Sequence, residues 1–92
     1  MNIDITARHL TLSDDLKDFI YEKVSKISKY DDKIHSLKVV LLKETRAEKV
    51  EIIATSDKDK YITNCYSSAF EKTILKAVEN IITQIRKSKS KK

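Results

Sequence analysis

Residues with the chemistry of nucleophiles, bases or metal ligands are sparse in this 92-residue chain. There are two histidines, His9 and His35, and neither is spaced as a metal ligand. The chain has no glycine, so a glycine-rich phosphate loop cannot form. The single Cys65 lies in an alternating segment, where a buried small residue is commoner than a nucleophile. We therefore expect no enzyme activity, no catalytic residue, no metal, no cofactor and no small-molecule substrate.

Basic residues are the more informative group. The chain has 19 lysines and arginines against 14 acidic residues, a net charge of +5. The excess lies at the C-terminal end, because the basic residues outside it equal the acidic residues in number. Basic clusters bind polyanions by displacing counterions from phosphates, although a solvated tail explains the same charge equally well. The C-terminal basic residues are Arg86, Lys87, Lys89, Lys91 and Lys92.

Length and composition limit the class of protein. A hydrophobic content of 40% suits one small domain, and no apolar run approaches the about 18 residues that span a bilayer. The N-terminal residues lack the pattern of a secretory signal, and a single cysteine fits a reducing compartment. We expect a cytoplasmic protein without a membrane partner, with one domain over residues 1–87 and a basic tail over 88–92.

The hydrophobic pattern predicts the elements that position the basic residues. Alternation at a period of two predicts strands over about 1–8, 37–42, 50–55 and 61–66. Apolar residues at three- and four-residue steps predict a helix from an N-cap at Ser13 to Lys29 or Tyr30, and a second after a cap at Ser67 or Ser68. The order βαβββα predicts an α+β, two-layer domain, a four-stranded sheet with both helices packed on one face.

The basic residues of the two predicted helices lie away from the apolar stripes. Those of the second helix share the face opposite its stripe, and those of the first flank its stripe. If the two helices lie side by side, we expect their basic residues to form one face that binds phosphate groups. For either helix considered alone, the ordinary charged surface of a solvent-exposed helix explains the same residues. The residues are Lys72, Lys76, Arg86 and Lys87 on the second helix, with Lys23, Lys26 and Lys33 on or just beyond the first.

Four tyrosines offer stacking faces for bases, but their positions argue against a shared platform. Tyr30 falls at the edge of the first helix's stripe, where we expect it to close the core. Tyr61 and Tyr66 have opposite parity on the fourth strand, so they cannot form one surface.

A distributed pattern over essentially the whole chain resembles the ribosome hibernation-promoting factor family, which includes the ribosome-associated inhibitor and long forms with an extra domain. The pattern has no catalytic signature. The residues that carry it are Asn2-Ile3-Asp4-Ile5-Thr6, Leu16-Lys17-Asp18-Phe19-Ile20 with Lys23, Lys26 and Tyr30, Val39-Val40-Leu41, Val50-Glu51-Ile52, Val78-Glu79 and Gln84-Ile85-Arg86-Lys87.

The resemblance implies a non-catalytic βαβββα domain, monomeric when free, that lies in the decoding channel of the small (30S) subunit of the 70S ribosome. There it overlaps the messenger and transfer RNA sites and inhibits translation. In this family, basic residues of the helices lie against 16S rRNA. The matching residues are Lys17, Lys23, Lys26, Lys33, Arg86 and Lys87, with Arg8 and His9 as candidates by position and Lys72, Lys76 and Lys89 from the second helix and the tail.

The chain departs from the family pattern at three places. Asp57-Lys58-Asp59 replaces a glycine-bearing turn, and Ala69-Phe70-Glu71 lacks a tyrosine. Asn80 and Thr83 stand where basic residues are common, so Lys72, Lys76 and the tail are expected to take over the phosphate contacts. The sequence also ends before the domain through which long forms pair ribosomes, so pairing by that route is not expected. A general double-stranded RNA-binding domain, or a regulator that binds an acidic protein, are the alternatives.

Overall fold

The computed structural model describes residues 1–90, and the predicted order βαβββα is confirmed. The expected phosphate contacts of residues 91 and 92 lie outside the described residues. A short 3-10 helix follows the first α-helix, and no other regular element interrupts the order within residues 1–90. The elements are β1 (Asn2–Arg8), α1 (Asp14–Val24), the 3-10 helix (Ser25–Lys29), β2 (Ile34–Lys43), β3 (Glu48–Ser56), β4 (Lys60–Ser67) and α2 (Phe70–Ser90).

The four strands form one mixed sheet in the order β1-β2-β3-β4. β1 pairs with β2 in parallel, and α1 lies in the crossover that such a pair requires. The other two pairs are antiparallel. Alternate side chains of β2, β3 and β4 are buried beneath both helices, which confirms the two-layer α+β prediction. The fully buried core includes Leu37, Val39, Leu41, Val50, Ile52, Ile74, Ile81 and Ile85.

The first helix changes type before its predicted end. Ser13 caps it as predicted, because its Oγ accepts the N–H of Leu16 at 3.1 Å. The α-helix ends at Val24, and the chain continues as a 3-10 helix to Lys29. Serine hydroxyls compete for backbone carbonyls in this segment, since Ser25 Oγ donates to the carbonyl of Tyr21. The 3-10 helix is a common form for such a final turn.

The start of α2 is stabilised by an acidic side chain from β3. The Oε1 atom of Glu48 accepts the N–H of Phe70 at 2.9 Å, in place of the predicted cap by Ser67 or Ser68. Ser67 instead accepts the N–H of Ala69 and bonds the hydroxyl of Thr73. A carboxylate at a helix N-terminus is favourable because the helix dipole is positive there. Sequence reasoning missed this contact since the two residues are far apart in the chain.

The turn between β3 and β4 closes without glycine. Ser56 N–H donates to the carbonyl of Asp59 at 2.8 Å, and Asp59 N–H donates to Ser56 Oγ at 2.9 Å. Among residues 1–90, the one residue with positive φ is His9, so this turn needs no left-handed position. The absence of the family's glycine therefore has a structural explanation.

The strand directions give the domain two distinct ends. β1 and β4 both run parallel to β2, and each is followed by a helix that returns along the sheet, so α1 and α2 run side by side in the same direction. We call the end with the β2–β3 hairpin (44–47) and the helix starts the hairpin end. The opposite end, with Tyr30, the turn 57–59 and the last turns of α2, is the tail end.

Candidate nucleic-acid interface

Cationic residues of α2 converge on one tyrosine at the tail end. The Cζ atom of Arg86 lies 5.2 Å from the ring centroid of Tyr30, a cation–π contact. The ammonium group of Lys89 donates to the backbone carbonyl of Tyr30. Tyr30 itself is half-buried and packs against the core, as its place at the edge of the apolar stripe predicted. This residue therefore ties the end of the first helix to the end of α2.

We define the tail-end cluster as the basic residues of three segments that lie at this end of the domain. Arg86 and Lys89 contact Tyr30 directly, and Lys33 lines a cleft together with Lys89. Lys26 lies about one turn before Tyr30, and Lys33 follows it in the loop to β2. The loop is fixed by Asp31, a buried residue whose Oδ1 accepts the N–H of Lys33 at 3.0 Å. All five basic side chains are exposed. The cluster consists of Lys26, Lys33, Arg86, Lys87 and Lys89.

The basic face of α2 is interrupted midway. At 1.5 Å per residue, Lys76 and Arg86 lie about 15 Å apart along the helix axis. The acidic side chain of Glu79 projects from the same face between them, by its helical position. The structure therefore separates Lys72 and Lys76 from the tail-end cluster, and the face is two basic patches instead of one continuous stripe.

Asn80 and Thr83 are engaged within the protein. The Nδ2 atom of Asn80 donates to Thr63 Oγ1 and to Cys65 Sγ, both at 3.2 Å. The hydroxyl of Thr83 donates to the carbonyl of Glu79 at 3.0 Å. Cys65 is buried, as predicted. Asn80 therefore contributes to the packing of α2 on β4.

The outer surface of α1 is acidic. Lys23 lies on the flank that faces α2, with its ammonium group 5.5 Å from the ring centroid of Phe19. Lys17 lies on the opposite flank and is exposed, so the structure does not bring it into the tail-end cluster. Between these flanks, four acidic side chains face solvent, which restricts phosphate contacts on this helix to its edges and its end. They are Asp14, Asp15, Asp18 and Glu22.

Arg8 and His9 lie at the hairpin end, far from the tail-end cluster. His9 has φ of 63°, a left-handed conformation that is uncommon outside glycine and that turns the chain sharply after β1. Its side chain lines an open cleft together with Lys43 and Arg46 of the β2–β3 hairpin. Sequence reasoning missed these two cations as candidates. In the sequence, the charged stretch 43–49 indicated a hairpin between the second and third strands. It did not indicate that this hairpin would lie beside His9.

Two absences hold for the part of the chain that the structure describes. Residues 1–90 contain no group of three or more His, Cys, Asp or Glu side chains placed to hold a metal ion. Neither α-helix within this range is long and apolar enough to cross a bilayer. The exposed histidines lie apart, His9 in the loop after β1 and His35 in β2.

The fold and these patches define a small α+β domain with two parallel helices over a mixed sheet and separate basic patches at its ends. Residues 3–92 match the family model described as "Sigma 54 modulation protein / S30EA ribosomal protein". The chain belongs to this family. The match confirms the sequence-based resemblance to ribosome hibernation-promoting factors, since relatives with that name are also found.

The relatives and solved structures agree with this assignment. The chain is 23% identical over 91 residues to a ribosome hibernation promoting factor of Pseudomonas putida, covering 99% of this chain and 89% of the relative. A factor of the same name from Azotobacter vinelandii is 31% identical over 51 residues, covering 55% of this chain and 48% of that protein.

Two solved structures share the fold. A ribosomal subunit interface protein from Coxiella burnetii superposes with a TM-score of 0.92 at 20% identity, covering 99% of this chain and 100% of that one. The N-terminal domain of Thermus thermophilus Protein Y superposes with a TM-score of 0.88 at 24% identity, covering 96% and 99% respectively. The two α-helices and the four strands of this chain are therefore arranged as they are in these two solved structures.

Proposed function

We propose that this protein is a ribosome hibernation factor that binds the decoding channel of the small (30S) subunit, free or within the 70S ribosome. It inhibits translation by occupying the sites of messenger and transfer RNA. It acts in the cytoplasm as a monomer when free, without catalysis. Membership of the S30EA family and the names of its relatives support the ribosome as partner. The observation that carries the proposal is the tail-end cluster, in which Arg86 and Lys89 of α2 both contact Tyr30 at the end of the first helical segment.

The tail-end cluster has the properties of a phosphate-binding surface. The Arg86 guanidinium, with its planar set of N–H donors, lies over the Tyr30 ring, and the side chain is exposed to solvent. Those N–H groups suit the oxygen atoms of a phosphate, and the neighbouring lysines add charge without directional demands. Such contacts give salt-sensitive affinity for a folded RNA without reading its sequence. We infer that the cluster makes the principal contact with 16S rRNA.

The other basic residues take secondary places in this proposal. Lys72 and Lys76 form a second contact, which begins about 15 Å along α2 from Arg86 and requires two separated phosphate groups on the RNA. Lys23 supports the first contact from the flank of α1. Lys17, Arg8 and His9 lie outside both patches, and we assign them peripheral contacts.

We infer that the domain occupies the channel as one rigid body. The described residues extend over 43 × 22 × 16 Å, and the sheet and both helices share one core. The domain would exclude messenger and transfer RNA from the channel sterically, while the basic patches provide the affinity for the ribosome. Inhibition therefore follows from where the domain binds.

Binding of purified 30S subunits at graded salt concentrations tests the proposal. A variant with Lys26→Gln, Arg86→Gln and Lys87→Gln is expected to bind at least about tenfold more weakly, with a salt slope reduced by about 0.9 for each lost phosphate contact. The matched control carries Lys17→Gln, Lys29→Gln and Lys58→Gln, which remove the same charge from exposed positions outside both basic patches. Equal losses in the two variants would refute the role of the tail-end cluster.

Competition separates the proposal from the two alternatives. A factor held in the decoding channel should resist excess plain duplex RNA, should be displaced by messenger RNA with initiator transfer RNA, and should inhibit cell-free translation. Release by plain duplex RNA instead would indicate a general double-stranded RNA binder. Capture of an acidic protein that survives nuclease treatment, with no ribosomal RNA recovered, would indicate a protein regulator.

A further inference from the structure

The face of the sheet opposite the helices is uncovered and carries side chains of mixed type. The strand registers place these side chains in four rows that cross the sheet. Each row contains at least one charged residue, so the face has no row that is purely apolar. The rows are Asn2, Ser36, Thr55 and Lys60; Asp4, Lys38, Ile53 and Ile62; Thr6, Val40, Glu51 and Asn64; and Arg8, Leu42, Lys49 and Tyr66.

The row nearest the hairpin end combines two cations with an aromatic ring. Tyr66 is 52% exposed, although the ammonium group of Lys49 lies 5.6 Å from its ring centroid. Arg8 stands at the other end of the row, three strands away, which at about 4.8 Å per strand is roughly 14 Å. A cleft that extends from Arg8 to Lys49 is lined by Arg8, Lys38, Val40, Leu42, Lys49 and Glu51.

We propose that this row binds a segment of single-stranded RNA, with a base stacked on Tyr66 and phosphate groups held by Lys49 and Arg8. Aromatic rings bind unpaired bases through their faces, and flanking cations follow the backbone. The site is independent of the helix patches, because it lies on the other face of the sheet.

Charge favours RNA over other occupants of this face. Four basic side chains project from it against the two acidic side chains of Asp4 and Glu51. Near the row, the hairpin adds the cations Lys43 and Arg46 beside His9, together with the acidic side chain of Glu44, a net gain of one positive charge. A second copy of this chain would bring the same positive surface against itself, which is unfavourable. The basic residues on the face are Arg8, Lys38, Lys49 and Lys60.

The stacking role of Tyr66 is measured with a fluorescein-labelled, ten-nucleotide single-stranded RNA of mixed sequence. Tyr66→Leu keeps an apolar side chain but removes the ring, and is expected to weaken binding about fivefold or more. Tyr66→Phe retains the ring and should bind as the unchanged protein does. Arg8→Gln should reduce the salt slope by about 0.7, the value for a phosphate contact on single strands.

Mapping of the contact by amide chemical shifts locates the RNA independently of affinity. The expected shifts fall on the row from Arg8 to Tyr66, and they should persist when Lys26, Arg86 and Lys87 are neutralised. Unchanged affinity of Tyr66→Leu, or shifts confined to the helices, would overturn the proposal. Sedimentation as a dimer that Tyr66→Leu abolishes would also overturn it, in favour of a second copy as occupant. The variant with Lys26, Arg86 and Lys87 neutralised separates the two proposals. It is expected to lose binding to 30S subunits while its binding of single-stranded RNA stays intact, so either proposal can fail without the other.

Discussion

The guanidinium of Arg86 lies over the ring of Tyr30, with 5.2 Å between Cζ and the ring centroid. Tyr30 directly follows the 3-10 helix, and Arg86 belongs to the last turns of α2. The backbone carbonyl of Tyr30 also accepts a hydrogen bond from Lys89. The contact therefore holds the ends of two helices together and fixes the spacing of the tail-end cluster.

A double-mutant cycle measures the energy of this contact. Tyr30→Leu and Arg86→Gln, alone and together, are expected to show a coupling of about 0.5–1 kcal/mol in the free energy of unfolding. Leucine keeps apolar packing against the core, so the coupling reports the ring and the cation. Urea denaturation provides the measurement, with Lys72→Gln in place of Arg86→Gln as the control. A coupling of zero for the Tyr30 and Arg86 pair would show that the contact adds no stability.

The carboxylate of Glu48 is expected to stabilise the start of α2. Glu48→Ala removes the acceptor of the Phe70 N–H and should lower the free energy of unfolding by about 1–2 kcal/mol. Glu51→Ala is a matched control, because Glu51 lies on the same strand but on the open face. Chemical denaturation of both variants gives the comparison. Equal losses would argue against the capping role.

The left-handed conformation of His9 predicts an unusual order of stability. Glycine adopts this region without the Cβ clash, whereas the clash costs other residues about 1–2 kcal/mol. His9→Gly is therefore expected to be more stable than His9→Ala by about 0.5–1 kcal/mol, after the entropy of the unfolded glycine chain is included. Thermal unfolding of the two variants measures this difference in stability. An alanine variant as stable as the glycine variant would contradict a strained position.

The two faces of the sheet should differ sharply in their tolerance of truncation. Ile52 is completely buried, and Ile52→Ala is expected to cost about 2–5 kcal/mol through lost burial and the cavity left behind. Ile62 is 48% exposed on the open face, so Ile62→Ala should cost far less. Urea denaturation of both variants checks the assignment of faces. A large loss for Ile62→Ala would mean that the open face is covered in solution.

Hydrophobic patterning predicted the fold well because each element buries one face only. The alternation of Val50, Ile52 and Ala54 and the stripe of Ile74, Ala77 and Ile81 correspond directly to buried side chains. Both helices must then lie on the same side of the sheet, since the other strand faces carry charges. The two-layer arrangement follows from this requirement.

The candidate site was less predictable, because its geometry depends on contacts between distant segments. The position of Glu79 within the face of α2 can be read from helical spacing, but the contacts of Arg86 and Lys89 with Tyr30 cannot. Nor does spacing alone place Lys43 and Arg46 beside His9, since that depends on the end of the sheet at which the hairpin lies. The alternation of side chains along β4 correctly placed Tyr61 and Tyr66 on opposite faces of the strand, where Tyr61 is buried and Tyr66 is exposed. It gave no indication that Lys49 would lie over the Tyr66 ring.

Directed hydroxyl-radical probing tests most directly whether the helix side of this domain occupies the decoding channel. Cys65 is the single cysteine, so a Cys65→Ser background allows an iron chelate to be tethered at Lys29→Cys or, on α2, at Thr83→Cys. In a complex with 30S subunits, we expect both positions to cleave 16S rRNA at nucleotides that line the messenger and transfer RNA sites. Cleavage confined to the solvent-facing surface of the subunit, or absent although the protein co-sediments, would contradict the account.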